Sequence, residues 1–236
     1  MNLNNKKDIV FLVLAGFFIT NAIVAELIGG KLIEFFGTFT QSIGIVLWPV
    51  VFITTDLVNE YYGQSGVKKL SYLTVALISF AFLILFVCIN IRAVPFSPVN
   101  DENFQIVFGQ SLWIIAGSII AFISSQLLDS FIFWKLRDKT GKGLIWIRAT
   151  GSTLISQLID TFIVQYIAFV LPGKWTYAQL LHNASFGYVF KIIIAIAIIP
   201  LIYLVHFLID RYLGEEVSNN MIKHTAELNL QHKVKE

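Results

Sequence analysis

The sequence predicts an all-α, polytopic membrane protein with six transmembrane helices and both termini in the cytoplasm. Three observations predict it. Hydrophobic residues make up 56% of the 236 residues and charged ones only 14%, whereas a water-soluble domain carries roughly 25% charged residues. Six apolar stretches, at 9–28, 40–60, 70–91, 112–134, 147–170 and 185–209, reach the roughly 20 residues needed to cross a hydrocarbon core. Lys and Arg are unevenly placed: thirteen fall on the termini and even-numbered loops, three (Lys31, Arg92, Lys174) on odd-numbered loops. That bias puts both termini inside.

The same composition excludes other classes. One cysteine, Cys88, cannot build a disulfide framework or a thiolate metal site, and the four histidines share no ligand spacing. A net charge of +2 is too small for nucleic-acid binding. The segment 63–69 (GQSGVKK) lacks the spacing of a phosphate-binding loop, and no G-x-S-x-G or H-E-x-x-H occurs. No cofactor, metal or enzymatic activity is expected. The whole chain, 1–236, reads as one integral membrane domain with a polar tail at 214–236.

Span one follows Lys6 and Lys7, but its apolar run is too long for a cleaved signal and lacks a small-residue cleavage site. In its outer half lie Asn21 and Glu26, and Gly29-Gly30 ends the helix. In span two, Trp48 precedes Pro49, which is expected to kink the helix. An indole at that depth suits stacking on a flat ring. The inner end of span two carries Asp56 and Glu60, four residues apart on one face. With Arg148 at the start of span five and Lys68 at the start of span three, they are expected to form a cytoplasmic ion-pair network or gate. Trp113, Trp134, Trp146 and Trp175 fall at span ends, as an interfacial belt requires. The 92–111 segment is the longest external connection, and 135–146 is a polar cytoplasmic loop.

Spans four and five share a segment: SQLLDSFIF at 125–133 and SQLIDTFIV at 156–164. Consecutive helices cross in opposite directions, so this is a small inverted repeat, a device transporters use to place a site at the bilayer centre. At 1.5 Å per residue, Gln126 and Gln157 both lie about 13.5 Å from the cytoplasmic edge, with Asp129 and Asp160 three residues away on the same faces. Carboxylates at that depth are costly in lipid and must face the bundle interior. The four are expected to line one cavity between spans four and five. Lys191, six residues into span six, falls at the level of Asp160 and would pair with it. Asn21, Glu26, Trp48, Gln126, Asp129, Gln157, Asp160 and Lys191 are therefore the candidate substrate-binding residues.

Three segments, TDLVNEYYG at 55–63, WIRATGSTLISQLIDTFI at 146–163 and YVFKIIIAIAIIPLIYLVH at 188–206, resemble the queuosine precursor transporter family, also called the vitamin uptake transporter family. The resemblance covers about residues 10–210. It implies a multi-pass bacterial inner-membrane importer of 7-deazaguanines such as preQ0 and preQ1, feeding salvage for tRNA modification. A guanine-type edge offers two adjacent N–H donors and one carbonyl acceptor, which a carboxylate and an amide or Lys can match. The implied partners are a purine-like small molecule and membrane lipid, with no nucleic acid; a homodimer is compatible with this reading.

Two other functions compete. A substrate-binding subunit of an energy-coupling-factor importer would carry an A-x-x-x-A docking stripe on span one; Ala15, Gly16, Ala22 and Ala25 do not form one, so an energy-coupling module is not expected. An intramembrane enzyme could use paired carboxylates. Asp129 and Asp160, however, are expected about 9 Å apart along the membrane normal, too far for an aspartyl dyad at about 3 Å.

Overall fold

The computed structural model describes residues 5–35, 39–109, 112–140 and 144–235. Its helices are α1 (Lys6–Ile28), α2 (Trp48–Ile89), α3 (Asp101–Phe108), α4 (Leu112–Thr140), α5 (Ile145–Gln165), α6 (Tyr177–Ala197), α7 (Ile199–Leu213) and α8 (Glu215–Lys235). Five helical stretches among the described residues are long and apolar enough to cross a membrane. Large exposed side chains are apolar, among them Phe17, Phe80, Phe86, Phe131 and Ile193, while Asp56, Asn59, Glu60, Asp129, Arg148 and Asp160 are buried. That is the reverse of a water-soluble globule and suits a lipid surround.

The second span departs from expectation. Residues 40–47 are not α-helical. Leu32–Phe35 (β1) and Phe39–Ser42 (β2) pair antiparallel, Leu32 opposite Ser42 and Ile33 opposite Gln41, and a short 3-10 turn covers Ile43–Val46. Built on Gly44, a Cβ would stand 2.6 Å from the Ala25 carbonyl oxygen, so only glycine lets this turn lie against α1. Pro49 then falls in the first turn of α2, where its missing N–H is not needed. It starts the helix and does not kink it.

The bend is at Gly63, with φ 71° and ψ −174°, a backbone conformation that favours glycine. A straight helix of the 42 residues of α2 would be about 63 Å long, twice a hydrocarbon core. Gly63 divides it into arms at 48–62 and 64–89. A second interruption comes at Ile198, after which Pro200 opens α7; a proline inside a continued helix would break a backbone hydrogen bond. The stretch 185–209 is therefore split between α6 and α7.

Two loops proved more helical than expected. Helix α3 lies within 92–111, with the Asn100 side chain accepting from the Asn103 N–H at 2.8 Å. Helix α4 runs on to Thr140, so 135–140 is not loop; Gly141, Lys142 and Gly143 lie outside the described residues. The tail forms α8 and packs against α2 and α7. At the centre, α5 packs along α4, and the first arm of α2 along α4.

Candidate functional site

Asp160 and Lys191 meet. Lys191 Nζ lies 2.7 Å from Asp160 Oδ2 and 3.0 Å from Gln157 Oε1, and 5.6 Å from the centre of the Trp48 ring. Both charged side chains are largely buried. An ammonium over an indole face is attracted by the ring quadrupole, so Trp48 and the two oxygen acceptors together fix the lysine head.

This cluster forms one wall of a cavity of about 640 Å³ between α1, the hairpin, α2, α4, α5 and α6. Glu26, Trp48, Ser118, Asp160, Gln165 and Lys191 are among its lining residues. Glu26 accepts a hydrogen bond from Ser118 Oγ, which ties the end of α1 to α4. Trp175 stacks on Phe169, ring centres 4.2 Å apart, at the same cavity. Where α5 ends, Tyr166–Val170 widens into a π-turn, the Leu171 N–H reaching the Tyr166 carbonyl at 3.0 Å. Such single π-turns cluster at functional sites.

The expectation of one cavity holding Gln126, Asp129, Gln157 and Asp160 needs correction: of the four, Asp160 alone lines it. Gln157 reaches it through Lys191. Gln126 instead stands 3.1 Å from Thr55 Oγ1 on α2. Asp129 accepts from Ser156 at 3.0 Å and from Thr153 at 3.5 Å on α5. The reason is packing. Residues three apart do share a face, but on α4 that face is closed over by α2 at Gln126 and by α5 at Asp129. Most of the polar groups satisfy one another there. The contacts are reciprocal: Ser125 of the first repeat bonds Asp160 of the second at 3.3 Å, and Ser156 of the second bonds Asp129 of the first.

Asn21 also lies off the cavity. Its amide donates to the Phe17 carbonyl one turn back on α1, at 2.8 Å.

At the inner end, Arg148 Nη2 lies 2.9 Å from Glu60 Oε2. Asp56 does not join that bridge. It is buried a turn above, within electrostatic reach of Arg148 and Glu60, and its Oδ1 has no hydrogen-bond partner among the described residues. Lys68 is exposed; the second base on Glu60 is Arg137, at 3.5 Å. Read as part of a loop, Arg137 sits on a buried face because α4 extends past it. Its guanidinium covers the Trp134 ring at 4.5 Å and donates to the Ile222 carbonyl at 2.9 Å. Trp134, 2% exposed, is thus part of the core and not of the interfacial belt.

A second cavity, about 570 Å³, opens beside this clamp between Glu60, Arg148, His206, Asp210 and Ser218. Asp210 accepts from Tyr61 OH at 2.7 Å and lies 2.9 Å from His206 Nδ1. Sequence reading missed Ser118, Gln165, Arg137 and the Tyr61–His206–Asp210 group. The i,i+4 spacing of His206 and Asp210 was the one signal available for the last.

The sequence model of the family described as "Putative vitamin uptake transporter" matches residues 42–205. The chain belongs to that family. The match takes in Trp48, the inner clamp, both repeat segments and Lys191, and leaves out Glu26. Among curated proteins, the chain is 31% identical over 178 residues to a "Probable queuosine precursor transporter" of Bacillus subtilis, covering 73% of this chain and 74% of that one. A protein of the same name from Haemophilus influenzae is 28% identical, over 67% of this chain and 65% of its own length. The "Queuosine precursor transporter" of Escherichia coli is 26% identical, over 67% and 69%. No solved structure matches the chain at comparable significance. Family membership and the apolar helices make this vitamin uptake transporter family member a multi-pass protein of the bacterial cell membrane, the inner one where there are two.

Proposed function

We propose that the chain imports 7-deazaguanine precursors of queuosine, with the 640 Å³ cavity as the binding site. The observation that carries this is the Asp160–Lys191–Trp48 cluster on the cavity wall, in a chain similar to queuosine precursor transporters. Each part answers one feature of the ligand. A carboxylate accepts from the two adjacent N–H donors of a guanine edge, an ammonium donates to its carbonyl, and an indole face stacks on the bicyclic ring. Glu26 supplies a second carboxylate for a substituent. Gln157 orients Lys191, while Gln126 and Asp129 act off the cavity, in the contacts of α4 with α2 and α5.

Ligand N–H groups compete with Lys191 for Asp160, and that exchange loosens the tie between α5 and α6. A ligand shifts a conformational equilibrium only through its differential affinity for the two states, and this competition supplies the difference. The Glu60 clamp is the matching closure on the inner side.

The topology proposed is six spans within a single domain. The two arms of α2 count as separate spans, the α6–α7 pair as the sixth, and both termini lie inside. The reciprocal Ser–Asp contacts support reading 125–133 and 156–164 as an inverted repeat. Transport without catalysis fits the separation of Asp129 from the cavity.

The test is uptake of labelled deazaguanine by purified protein in proteoliposomes and by cells unable to make the compound. Uptake by the chain alone is expected. Uptake only with added ATPase and coupling subunits would overturn the self-sufficient importer, and uptake of unrelated vitamins in place of deazaguanines would overturn the substrate.

A further inference from the structure

Two rungs join the first arm of α2 to α4: Thr55 to Gln126 at 3.1 Å and Asn59 to Ser130 at 2.7 Å. Each advances four residues on both helices, so the two helices run parallel here. Asp56 follows the first rung on α2, and Asp129 precedes the second on α4. Along the helix axes the two carboxylates therefore sit between the rungs, within electrostatic reach of one another. They are 2% and 6% exposed. Oδ1 of Asp56 and Oδ2 of Asp129 have no hydrogen-bond partner among the described residues.

The charges around them do not balance. Glu60 on α2 is met by Arg148 from α5 and Arg137 from α4. Helix α1 has no titratable side chain between Asp8 and Glu26. From α6 and α7, Lys191 is engaged by Asp160 and His206 by Asp210. Helix α8 brings the Thr225 hydroxyl to the Glu60 carbonyl, while Lys223, His224 and Glu227 are exposed. Among the described residues two guanidinium groups thus face three carboxylates, which leaves one negative charge in a medium that tolerates none. One monovalent cation would complete the cluster. A proton fits best: each carboxylate keeps one buried oxygen without a hydrogen-bond partner among the described residues, while the hydroxyls of Ser156 and Thr153 lie on the other oxygen of Asp129. The pair can thus hold one proton on either of its two bare oxygens.

We propose that Asp56 and Asp129 share one proton and that its passage drives import. This rests on the transporter reading above. The proton leaves water in the outer cavity, forms an O–H bond on the pair while the substrate is bound, and returns to water in the inner cavity beside Glu60. One proton enters with each substrate, and no electrons move.

The experiment uses purified protein in proteoliposomes with labelled 7-aminomethyl-7-deazaguanine and the membrane potential clamped. Counterflow, the exchange of labelled for unlabelled substrate without a gradient, tests transport by itself. An inside-alkaline gradient of one pH unit should then raise accumulation about tenfold at one proton per substrate, and a pH-sensitive dye should record substrate-dependent proton entry. Asp56→Asn and Asp129→Asn should keep counterflow yet lose the gradient response. Counterflow with no effect of pH, accumulation driven by sodium, or a gradient response surviving in Asp129→Asn would each overturn the proposal. Absence of counterflow in the unaltered protein would instead overturn the transport reading, and the coupling proposal with it. Dye-recorded proton entry in the unaltered protein decides whether import is proton-driven even where one variant does not fold, and the gradient response of the other variant then tests the pair.

Discussion

The segments 125–133 and 156–164 are nearly the same nine residues on packed, antiparallel helices, yet their carboxylates have different surroundings. Asp160 stands on a cavity wall, opposed by an ammonium at 2.7 Å. Asp129 is enclosed between α2 and α5, held by hydroxyls alone among the described residues, with one oxygen bare. The repeat places both aspartates at the seam, Asp160 level with Ser125 and Asp129 level with Ser156. What differs is the third helix that each meets: α6 brings Lys191 to one, and the first arm of α2 brings Asp56 to the other. A paired acid can be released by a competing ligand. An acid facing another acid exchanges a cation instead. One motif used twice can therefore serve recognition once and coupling once.

The largest effect should come from the clamp below both. Removing one partner of a buried ion pair costs about 3–5 kcal/mol. Arg148→Met would leave Glu60 with Arg137 alone at 3.5 Å. We predict a thermal midpoint lower by about 10 °C, or loss of monodisperse protein, on melting in detergent. A midpoint within about 2 °C would show that the inner clamp is not structural.

Next comes Asp160→Asn, which keeps shape and loses charge. Uptake of labelled deazaguanine should fall about 100-fold, since a carboxylate matched to two donors contributes about 1.5–3 kcal/mol through each charge-assisted bond. The midpoint should shift less than for Arg148→Met. Near-normal uptake would leave the 156–164 segment as helix glue. Lys191→Met should reduce uptake by about tenfold or less. Its stem still packs on Trp48, and the ligand loses a competitor as well as a donor. A larger loss than in Asp160→Asn would reverse the roles assigned to the pair.

Much of this was legible in the sequence, and the failures share a cause. Hydropathy and length find α1, α4 and α5 because lipid imposes them one helix at a time. The Asp160–Lys191 contact was legible because depth along a helix is arithmetic. What depth cannot supply is azimuth. Gln126 and Asp129 were assigned to the cavity because they share a face with one another, but which helix that face meets is decided by packing. The same holds for Arg137, which reads as one more basic residue of a loop. Gly63 and Pro49 were misjudged in the opposite sense: a proline was read as a kink where it begins a helix, and the glycine that bends the chain carries no such warning. The hairpin at 32–42 was hidden by an apolar run that reads equally as helix or strand.

The smallest effects should separate the two aspartates most cleanly, through the serines that begin each repeat. Ser125 reaches Asp160 at 3.3 Å while also lying 3.0 Å from the Phe122 carbonyl. Ser156 reaches Asp129 at 3.0 Å and lies 3.2 Å from the Thr153 carbonyl. Each hydroxyl has one proton to divide between two acceptors, so removing either should cost toward the lower end of a hydrogen bond's net contribution, about 0.5–1 kcal/mol. For Ser125→Ala the loss falls on Asp160, the carboxylate proposed to meet the ligand. The substrate concentration for half-maximal uptake should rise about two- to fivefold, with the maximal rate unchanged. For Ser156→Ala the loss falls on Asp129, which lies off the cavity. Half-saturation should stay within about twofold, while accumulation under a pH gradient falls short of that in the unaltered protein. The measurement is a pair of saturation curves, with and without the gradient, for both variants. If Ser156→Ala weakened half-saturation and Ser125→Ala did not, the division of the repeat into a recognising half and a coupling half would be wrong, because the ligand would then be read from the seam and not from the cavity.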